Sequence, residues 1–514
     1  MAKSPDTVKR NAWSISMSDI SSWFNRVFFI EKLYNLTGVI VLLVFAAIIA
    51  GGTVYIGYSF GIMLMFAVFL LPLLYCIVFY PKFGIVILLV MAYAIWKVAP
   101  LVPIPIGTVM DGLQALLILG LVIRLKFYKG SEIFKNSVTT VLLIWIIYNF
   151  VEIGNPSATS RLSWLYTIRT VGTVGLTYYV YMYNIRSVKF IRMIFVLWLI
   201  LSVAGALYGF KQEYFGFTPE EDAYLHSDPA IENLLFIGGH WRKFSFFSDP
   251  VVFAYNMVMP SILCICIIAG QFKLWKKVVC AFLILIFFMA MLFTGTRGAN
   301  VLLPAALVLF AILRYNKKML MFAGVGLLFF YILIIIPTNN VNIKRFQSAF
   351  SPNNDDSYNV RKANQKRIQP FILSHPLGGG LGSTGTWGKR FSPGSYLSEF
   401  PPDSGYIRVA VEEGWIGLLI FCTMMFVFIK TGIDNYYKIQ DPELKTYCLA
   451  MTLVVFAYNV ANFPQEALVQ FPSNIFFYME VALINITYQL DLELTEKKRK
   501  ALVLQNTDIY PNMK

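Results

Sequence analysis

The chain has 514 residues, of which 57% are hydrophobic and only 14% are charged, and its mean hydropathy is +0.63. A water-soluble protein of this length cannot hide so much apolar surface, so the composition excludes that class and indicates a chain embedded in lipid. The formal net charge of +15 does not indicate nucleic-acid binding, because the basic residues cluster at the ends of apolar runs and form no compact basic domain.

A polar and basic leader, residues 1–35, precedes the first apolar run. Five of its apolar residues recur at helical spacing, namely Ile20, Trp23, Phe24, Val27 and Phe28. This spacing predicts an amphipathic helix lying on the inner membrane surface; the alternative is a helix docked against the bundle. Because no early apolar run is present, we expect no cleavable signal peptide.

Fourteen apolar runs follow, most of them near the ~20 residues that cross ~30 Å of hydrocarbon. They lie at Leu36–Ile56, Tyr58–Phe79, Phe83–Ala99, Met110–Ile123, Val138–Val151, Leu162–Tyr183, Val188–Tyr208, Val251–Ala269, Val278–Phe293, Ala299–Leu313, Met319–Ile336, Trp415–Ile429, Thr446–Val460 and Val469–Tyr488. The runs predict an all-α fold, a polytopic membrane bundle of about 14 transmembrane helices with a large extracytoplasmic loop before the last three. Several runs are short for a span, so the count is open by one or two.

A cytoplasmic N-terminus assigns alternate loops to the inner side, and these contain most of the 43 lysines and arginines. Most of the others fall in two long loops, to which the positive-inside rule does not apply. The predicted organisation is a leader at 1–35, a transmembrane bundle at 36–209, an extracytoplasmic loop at 210–249, transmembrane helices at 250–336, a large extracytoplasmic loop at 337–413, transmembrane helices at 414–489 and a cytoplasmic tail at 490–514. Function is expected in the two loops, because loops on a rigid scaffold carry chemistry.

All three histidines, His226, His240 and His375, fall in these two loops. Their spacing does not fit a metal site, since neither a His-x-x-x-His motif nor a clustered carboxylate partner occurs. We therefore predict no metal centre and no cofactor, and we favour hydrogen-bonded structural roles for the histidines.

Two arginines stand at the predicted outer membrane boundary. Arg242 occurs in His240-Trp-Arg-Lys-Phe-Ser-Phe-Phe-Ser-Asp-Pro250, just before a span, and Arg297 occurs in the tight turn Thr294-Gly-Thr-Arg-Gly-Ala299. A guanidinium there can form paired hydrogen bonds to a diphosphate whose lipid tail lies in the bilayer. The alternative is contact with lipid headgroups.

Arg169 lies well inside the run Leu162–Tyr183, where an unpaired charge costs at least ~2.5 kcal/mol. We expect it to face a cavity or a partner, and Glu480 is a candidate counter-charge. A structural ion pair and a ligand contact both remain open.

The second loop contains a predicted basic amphipathic helix, Val360–Leu373, in which Arg361 and Arg367 are available to phosphate. The segment His375-Pro-Leu-Gly-Gly-Gly-Leu-Gly382 follows. Its glycines permit positive φ and close approach of a substrate to the backbone, although a plain turn accounts for them equally well.

The loop closes with Pro401-Pro-Asp-Ser-Gly-Tyr-Ile-Arg-Val-Ala-Val-Glu-Glu-Gly-Trp-Ile-Gly417, which leads into the next span. Asp403 is thereby held at the boundary, where a carboxylate can accept the proton of an attacking sugar hydroxyl. The alternative is that Asp403 caps a helix starting near Gly405. Tyr406 and Arg408 are further candidate substrate-binding residues.

Together these segments resemble the O-antigen ligase and polymerase superfamily of bacterial membrane proteins. The resemblance is best in the C-terminal half, from the Arg242…Asp249-Pro250 segment to the Tyr406…Gly417 segment. It implies a metal-independent inverting glycosyltransferase that uses undecaprenyl-diphosphate-linked glycan, with Arg242, Arg297 and Arg361 binding the diphosphate. Ligases of this superfamily carry a histidine at the position corresponding to Asp403, and this departure favours a polymerase.

We therefore expect a polymerase of undecaprenyl-diphosphate-linked repeat units in the bacterial cytoplasmic membrane, with both termini cytoplasmic. Asp403 and Arg297 are the predicted catalytic residues, and the predicted substrate-binding residues are Arg242, Arg361, Arg169, Arg367, Arg408 and Tyr406. The expected partners are the lipid-linked donor and acceptor and membrane lipid, with a chain-length regulator as a candidate and no nucleic acid.

An O-antigen ligase and a lipid-linked oligosaccharide flippase are the alternatives. A carrier usually has related halves and polar sites at the midplane, and only Arg169 and Glu480 fit that pattern.

Overall fold

The structure, a computed structural model, describes residues 36–98, 106–128, 131–237, 239–350 and 356–509. These residues belong to two compact units, one ending at Tyr75 and the other beginning at Cys76. The amphipathic helix predicted between Ile20 and Phe28 lies outside the described residues.

Helices make up nearly all of the regular structure in the described residues. In chain order they are α1 (Leu36–Ile56), α2 (Tyr58–Phe79), α3 (Pro81–Val98), α4 (Ile106–Tyr128), α5 (Ser137–Val151), α6 (Arg161–Asn184), α7 (Val188–Tyr214), α8 (Pro219–Leu225), α9 (Pro229–Leu235), α10 (Pro250–Ala269), α11 (Leu274–Phe293), α12 (Arg297–Asn300), α13 (Leu302–Leu313), α14 (Lys317–Ile335), α15 (Val341–Ser348), α16 (Asp356–Ser374), α17 (Gly385–Phe391), α18 (Gly405–Glu412), α19 (Gly414–Lys438), α20 (Pro442–Ala461) and α21 (Ser473–Ile509). Two 3₁₀ turns lie at Ser131–Phe134 and Glu152–Gly154, and β1 (Phe236–Ile237) pairs antiparallel with β2 (His240–Trp241).

The predicted all-α membrane fold is confirmed. Ten helices in the described part of the chain are long and apolar enough to cross a membrane. Every one of the fourteen predicted runs lies on a helix, but the exact count of fourteen spans stays a prediction. The remaining runs correspond to shorter apolar segments, Ala67–Phe79 and Arg297–Leu313, or to the more polar α6 and α21.

Two of the predicted runs differ from the helices of the structure. The run Ala299–Leu313 is divided between α12 and α13. Helix α21 starts at Ser473, after Pro472, and continues through the predicted tail as far as Ile509. The tail is rich in residues with high helix propensity, and the Glu496–Lys500 pair, 2.6 Å apart at i,i+4 spacing, adds a little stability to an exposed helix.

The apolar helices divide into central and peripheral ones. In α10 and α20, 83% and 78% of the residues in the apolar segment are buried, compared with 11% in α14. Lipid tails are as apolar as leucine, so an exposed apolar helix face costs nothing in a membrane. The side chains that meet at the ends of α10 and α20 are therefore held by the most enclosed part of the protein.

Both long loops are folded and have small apolar cores of their own. Leu225, Leu235 and Phe244 pack together in the first loop. The core of the second loop consists of Ile368, Leu397, Phe400 and Val411. These cores fix the backbone on which the candidate site residues lie.

The glycine-rich segment of the second loop docks against the start of α19. Gly379 and Gly380 donate backbone hydrogen bonds to the Val411 and Glu412 carbonyl oxygens at 2.9 and 2.8 Å. Gly378 has φ +70°, and a methyl group on it would lie 2.4 Å from the Gly414 nitrogen. The glycines are thus needed for close contact within the protein, which favours the turn interpretation over substrate approach.

Gly382 and Gly394 form a matched pair for testing this docking. Both have φ +77°, but a methyl group on Gly382 would lie 2.2 Å from Thr167 Oγ1, whereas one on Gly394 would meet nothing within 4 Å. We expect Gly394→Ala to cost about 1 kcal/mol through its backbone conformation alone. Gly382→Ala should lower the apparent melting temperature in detergent much further. Equal melting temperatures for the two variants would contradict the docking.

Candidate active site

The first cluster at the ends of the central helices is cationic and surrounds Arg242, which is 8% exposed. Its guanidinium donates hydrogen bonds to the Thr294 carbonyl oxygen at 2.8 Å, to Thr296 Oγ1 at 3.0 Å and to the Leu234 carbonyl oxygen at 3.3 Å. Arg242 therefore holds the turn that leads from α11 into Arg297.

Two further arginines lie near Arg242, and we call Arg242, Arg297 and Arg345 the cationic cluster. Burial lowers the pKa of Arg242 to about 10, and repulsion from Arg345 and Arg297 adds to this effect, while Asp249 opposes it. Asp249 also caps α10, because its Oδ1 accepts hydrogen bonds from the next backbone N–H groups at 2.8 and 3.0 Å. Of the charged groups that act on Arg242, two are cationic and one is anionic, and a bound anion would relieve the repulsion between the guanidinium groups.

Arg345 was not among the residues predicted from the sequence. It lies on α15, and its Nε donates a hydrogen bond of 2.6 Å to the carbonyl oxygen of Gly295, in the same turn that Arg242 holds. The neighbouring Phe346 is fully buried. The signal in the sequence that could have identified Arg345 was a basic residue next to an aromatic residue, in the first polar segment after a predicted span.

Arg361 is linked to the cationic cluster through Tyr255. It acts electrostatically on the Tyr255 hydroxyl, which lies 3.4 Å from the position that a methyl group on Gly298 would occupy. Gly298 directly follows Arg297. Arg367, on the same helix as Arg361, is exposed and lies 5.9 Å from the centroid of the Phe400 ring, so the two predicted phosphate ligands of α16 have different surroundings.

The second cluster is acidic and surrounds Arg408 on α18. Arg408 Nε lies 3.2 Å from Glu412 Oε1, and Arg408 Nη1 lies 2.8 Å from Glu466 Oε2. Burial raises the pKa of Glu466; attraction to Arg408 opposes this rise, and repulsion from Glu412 and Asp403 adds to it. Two carboxylates, those of Glu412 and Glu466, thus contact one guanidinium, and Asp403 lies near enough to Glu466 to act on it electrostatically. Arg408 is occupied by acids of the protein itself.

Asp403 does not cap the helix that follows it. The N-cap of α18 is Ser404, and the backbone N–H of Asp403 donates to the Pro401 carbonyl oxygen at 3.0 Å. The capping alternative is therefore wrong. The Asp403 side chain is half-buried, and its role as a base stays a prediction.

Glu413 is a further carboxyl group beside the acidic cluster and is 3% exposed. Its Oε2 atom has no hydrogen-bond partner within the described part of the chain. Burial raises the pKa of Glu413 well above its ordinary value, and repulsion from Glu412 and Glu152 adds to the rise against the attraction of Arg408. The Glu413 carboxyl group therefore keeps its proton to a higher pH than an ordinary glutamate.

The segment between α20 and α21, residues 462–472, contacts both clusters, and we call it the connecting segment. The backbone N–H of Gly405 donates to the Asn462 carbonyl oxygen at 3.0 Å, close to Asp403. Pro464 Cγ lies 3.1 Å from the position that a methyl group on Gly298 would occupy. The cationic and acidic clusters therefore lie at the same end of the bundle, and both contact this segment.

A cavity of about 120 Å³ lies beside Arg408. Residues of α6 form one wall, and Glu412, Glu413, Gly405 and residues of the connecting segment also line it. The cavity thus reaches the N-terminus of α18, two residues after Asp403.

Tyr406, a predicted substrate contact, points into the protein. Its hydroxyl donates to the Asn459 side-chain oxygen at 3.1 Å, and its ring meets the edge of Phe421. Burial raises the pKa of Tyr406 to about 12. These contacts favour a structural role.

Arg169 forms an ion pair with Asp111 on α4, with Nε and Oδ2 3.0 Å apart. The hypothesis that Glu480 is the counter-charge of Arg169 is therefore wrong. The carboxyl oxygens of Glu480 have no hydrogen-bond partner within the described residues. A sequence does not show which helices face each other, and Asp111 was overlooked at the start of an apolar run. Arg169 is thus accounted for as half of an ion pair.

The histidines have hydrogen-bonded surroundings. The His375 ring stacks on Phe371, with centroids 4.0 Å apart, and its Nδ1 lies 3.0 Å from the Phe371 carbonyl oxygen. His240 Nε2 lies 3.2 Å from Glu213 Oε2. Among the residues that the structure describes, no group of three or more potential ligands could hold a metal ion.

Comparison with known proteins supports the resemblance drawn from the sequence. Residues 280–422 match the family model described as O-antigen ligase. An O-antigen polymerase from Salmonella muenchen is 29% identical to the chain over 181 residues, which are 34% of this chain and 43% of that protein. The match thus spans less than half the length of this curated relative. The similarity to the O-antigen ligase and polymerase superfamily is confirmed.

The protonation of Glu413 gives a pH-dependent stability. In the unfolded chain this carboxyl group loses its proton above about pH 4.5, whereas the folded protein retains it, so stability falls as pH rises, by up to about 1.4 kcal/mol per unit. Glu413→Gln keeps the neutral form and should raise the apparent melting temperature at pH 7.5 but not at pH 4. A stabilisation of the same size at both pH values would contradict the assignment.

Proposed function

We propose that this protein, a relative of the O-antigen ligases and polymerases, polymerises oligosaccharide repeat units carried on undecaprenyl diphosphate. The reaction would take place at the outer face of the bacterial cytoplasmic membrane, with both chain termini in the cytoplasm. The observation that carries the proposal is the cationic cluster with Arg361 nearby, at the same end of the bundle as the half-buried carboxylate of Asp403. Diphosphate is the leaving group that such cations fit.

The proposed step is a single inverting displacement. A hydroxyl of the acceptor's terminal sugar attacks the anomeric carbon of the donor, the bond from that carbon to the diphosphate oxygen breaks, and Asp403 accepts the hydroxyl proton. The negative charge that develops on the departing undecaprenyl diphosphate is stabilised by Arg297, Arg345 and Arg361. Arg242 contributes charge and holds the turn, since its donors already contact the protein.

Two alternatives differ in their acceptor or their chemistry. A ligase would transfer the same glycan to another acceptor, and the aspartate at position 403, in place of the ligases' histidine, disfavours it. A flippase would move the lipid-linked unit without making a bond. The pairing of Arg169 with Asp111 removes one of the two charges that favoured a carrier. A chain-length regulator is a candidate partner of the polymerase.

Purified protein and synthetic undecaprenyl-diphosphate-linked repeat units test the proposal. We expect a ladder of polymer without nucleotide and in the presence of a metal chelator, because the donor is already activated by its diphosphate. Movement of the substrate across a vesicle membrane without bond formation would contradict the polymerase and support the flippase.

Substitutions separate the proposed site from its surroundings. Arg297→Ala and Arg361→Ala should each lower the polymerisation rate by about 10²- to 10³-fold through lost charge stabilisation, and Asp403→Asn by about 10²- to 10⁴-fold through loss of the base. Lys362→Ala, which removes an exposed cation next to Arg361, should leave the rate unchanged. Normal polymer length from either arginine variant, at a normal protein level, would remove that arginine from the mechanism.

A further inference from the structure

The cavity beside Arg408 has one wall made of four residues at helical spacing on α6. Thr167, Thr170, Val171 and Val174 lie at i, i+3, i+4 and i+7 and therefore share one face of the helix. Trp145 of α5 also lines the cavity. This mixture of apolar and aromatic surface with a few polar groups is typical of a small-molecule site.

The polar groups of the cavity retain capacity for hydrogen bonds. Thr167 Oγ1 donates to the Ser163 carbonyl oxygen at 2.9 Å, and Thr170 Oγ1 donates to the Thr167 carbonyl oxygen at 2.8 Å. Each hydroxyl proton is thus used, which leaves the oxygen lone pairs as acceptors. Glu413 adds a buried Oε2 atom that has no partner among the described residues. A buried polar atom of this kind is costly unless a ligand or water satisfies it.

The charges of the lining decide which ligand fits. Glu412 and Arg408 are paired with each other at 3.2 Å, and Glu466 occupies a second nitrogen of the same guanidinium. No excess positive charge remains for a phosphate, which the acids would repel. A neutral, hydroxyl-rich ring can donate hydrogen bonds to the threonine and glutamate oxygens and place its C–H groups against Trp145.

We infer that this cavity binds the non-reducing terminal sugar of the acceptor, while the donor's diphosphate lies at the cationic cluster. The inference rests on the proposed function and adds to it the place of the second substrate. Gly405 lines the cavity and lies two residues after Asp403. A sugar held there presents a hydroxyl next to the proposed base.

Substrates that can act in only one role test this placement. The donor is a diphosphate-linked repeat unit whose terminal hydroxyl is blocked, and the acceptor is the same repeat unit as an alkyl glycoside without diphosphate. Val171→Phe fills the cavity and should raise the acceptor KM about tenfold or more, with the donor KM within about twofold of wild type. Thr170→Val removes a hydroxyl at constant volume and should raise the acceptor KM about threefold to tenfold.

The matched control is Leu165→Phe, which adds a larger apolar ring to an exposed position of the same helix and should change neither KM. An unchanged acceptor KM in both cavity variants, or an equal rise in the donor KM, would overturn the inference and leave the proposed function standing. A wild-type protein that forms no coupled product would overturn the proposed function and this inference together.

Discussion

The buried carboxylate of Glu412, the last residue of α18, ties the glycine-rich part of the second loop to α18, directly before α19 begins. Its two oxygens accept hydrogen bonds from the Gly382 N–H at 2.9 Å, from the Thr384 N–H at 3.2 Å, from the Thr384 hydroxyl and from Arg408 Nε at 3.2 Å. A carboxylate removed from water is tolerable only with such a set of donors. The loop backbone, the start of α19 and the guanidinium of Arg408 are consequently fixed to one another, and Asp403 is fixed with them.

The acidic cluster around Arg408 and the cationic cluster differ in the charge that they can offer to a substrate. Arg408 is neutralised by its acids and cannot serve as a phosphate ligand without breaking buried ion pairs, whereas Arg242 is repelled by the guanidinium groups of Arg345 and Arg297. Two substrates that differ in charge, a lipid diphosphate and a neutral sugar, would therefore bind at different clusters, the diphosphate at the cationic one and the sugar at the acidic one. Asp403 lies at the acidic side, where a sugar hydroxyl would have to lose its proton.

The helices could be predicted from the sequence because each is specified by its own hydrophobic residues. Lipid requires every buried backbone group to be paired within its segment, so an apolar run of sufficient length becomes a helix wherever it packs. Arg242 and Arg297 could be predicted for a related reason, because a charged residue next to an apolar run is recognisable in the sequence without knowledge of the fold.

Contacts between distant segments could not be read in this way. The pairing of Arg169 with Asp111, the approach of Arg345 to the turn before Arg297, and the use of Arg408 by Glu412 and Glu466 all depend on which helices face each other. The glycines after His375 show the same limit. A glycine in the sequence suggests a positive φ, but it does not show which contact requires that conformation. Their close contacts with the start of α19 and with α6 appear only in the folded chain.

Locating a bound diphosphate is the most direct test of the claim that the cationic cluster, and not Arg408, binds the leaving group. A cryo-electron microscopy structure of the protein with undecaprenyl diphosphate should show both phosphates within hydrogen-bond distance of Arg297 and at least one of Arg345 and Arg361, with the Arg408 ion pairs intact. Phosphate density at Arg408, or only on the exposed face of α16 at Arg367, would contradict it.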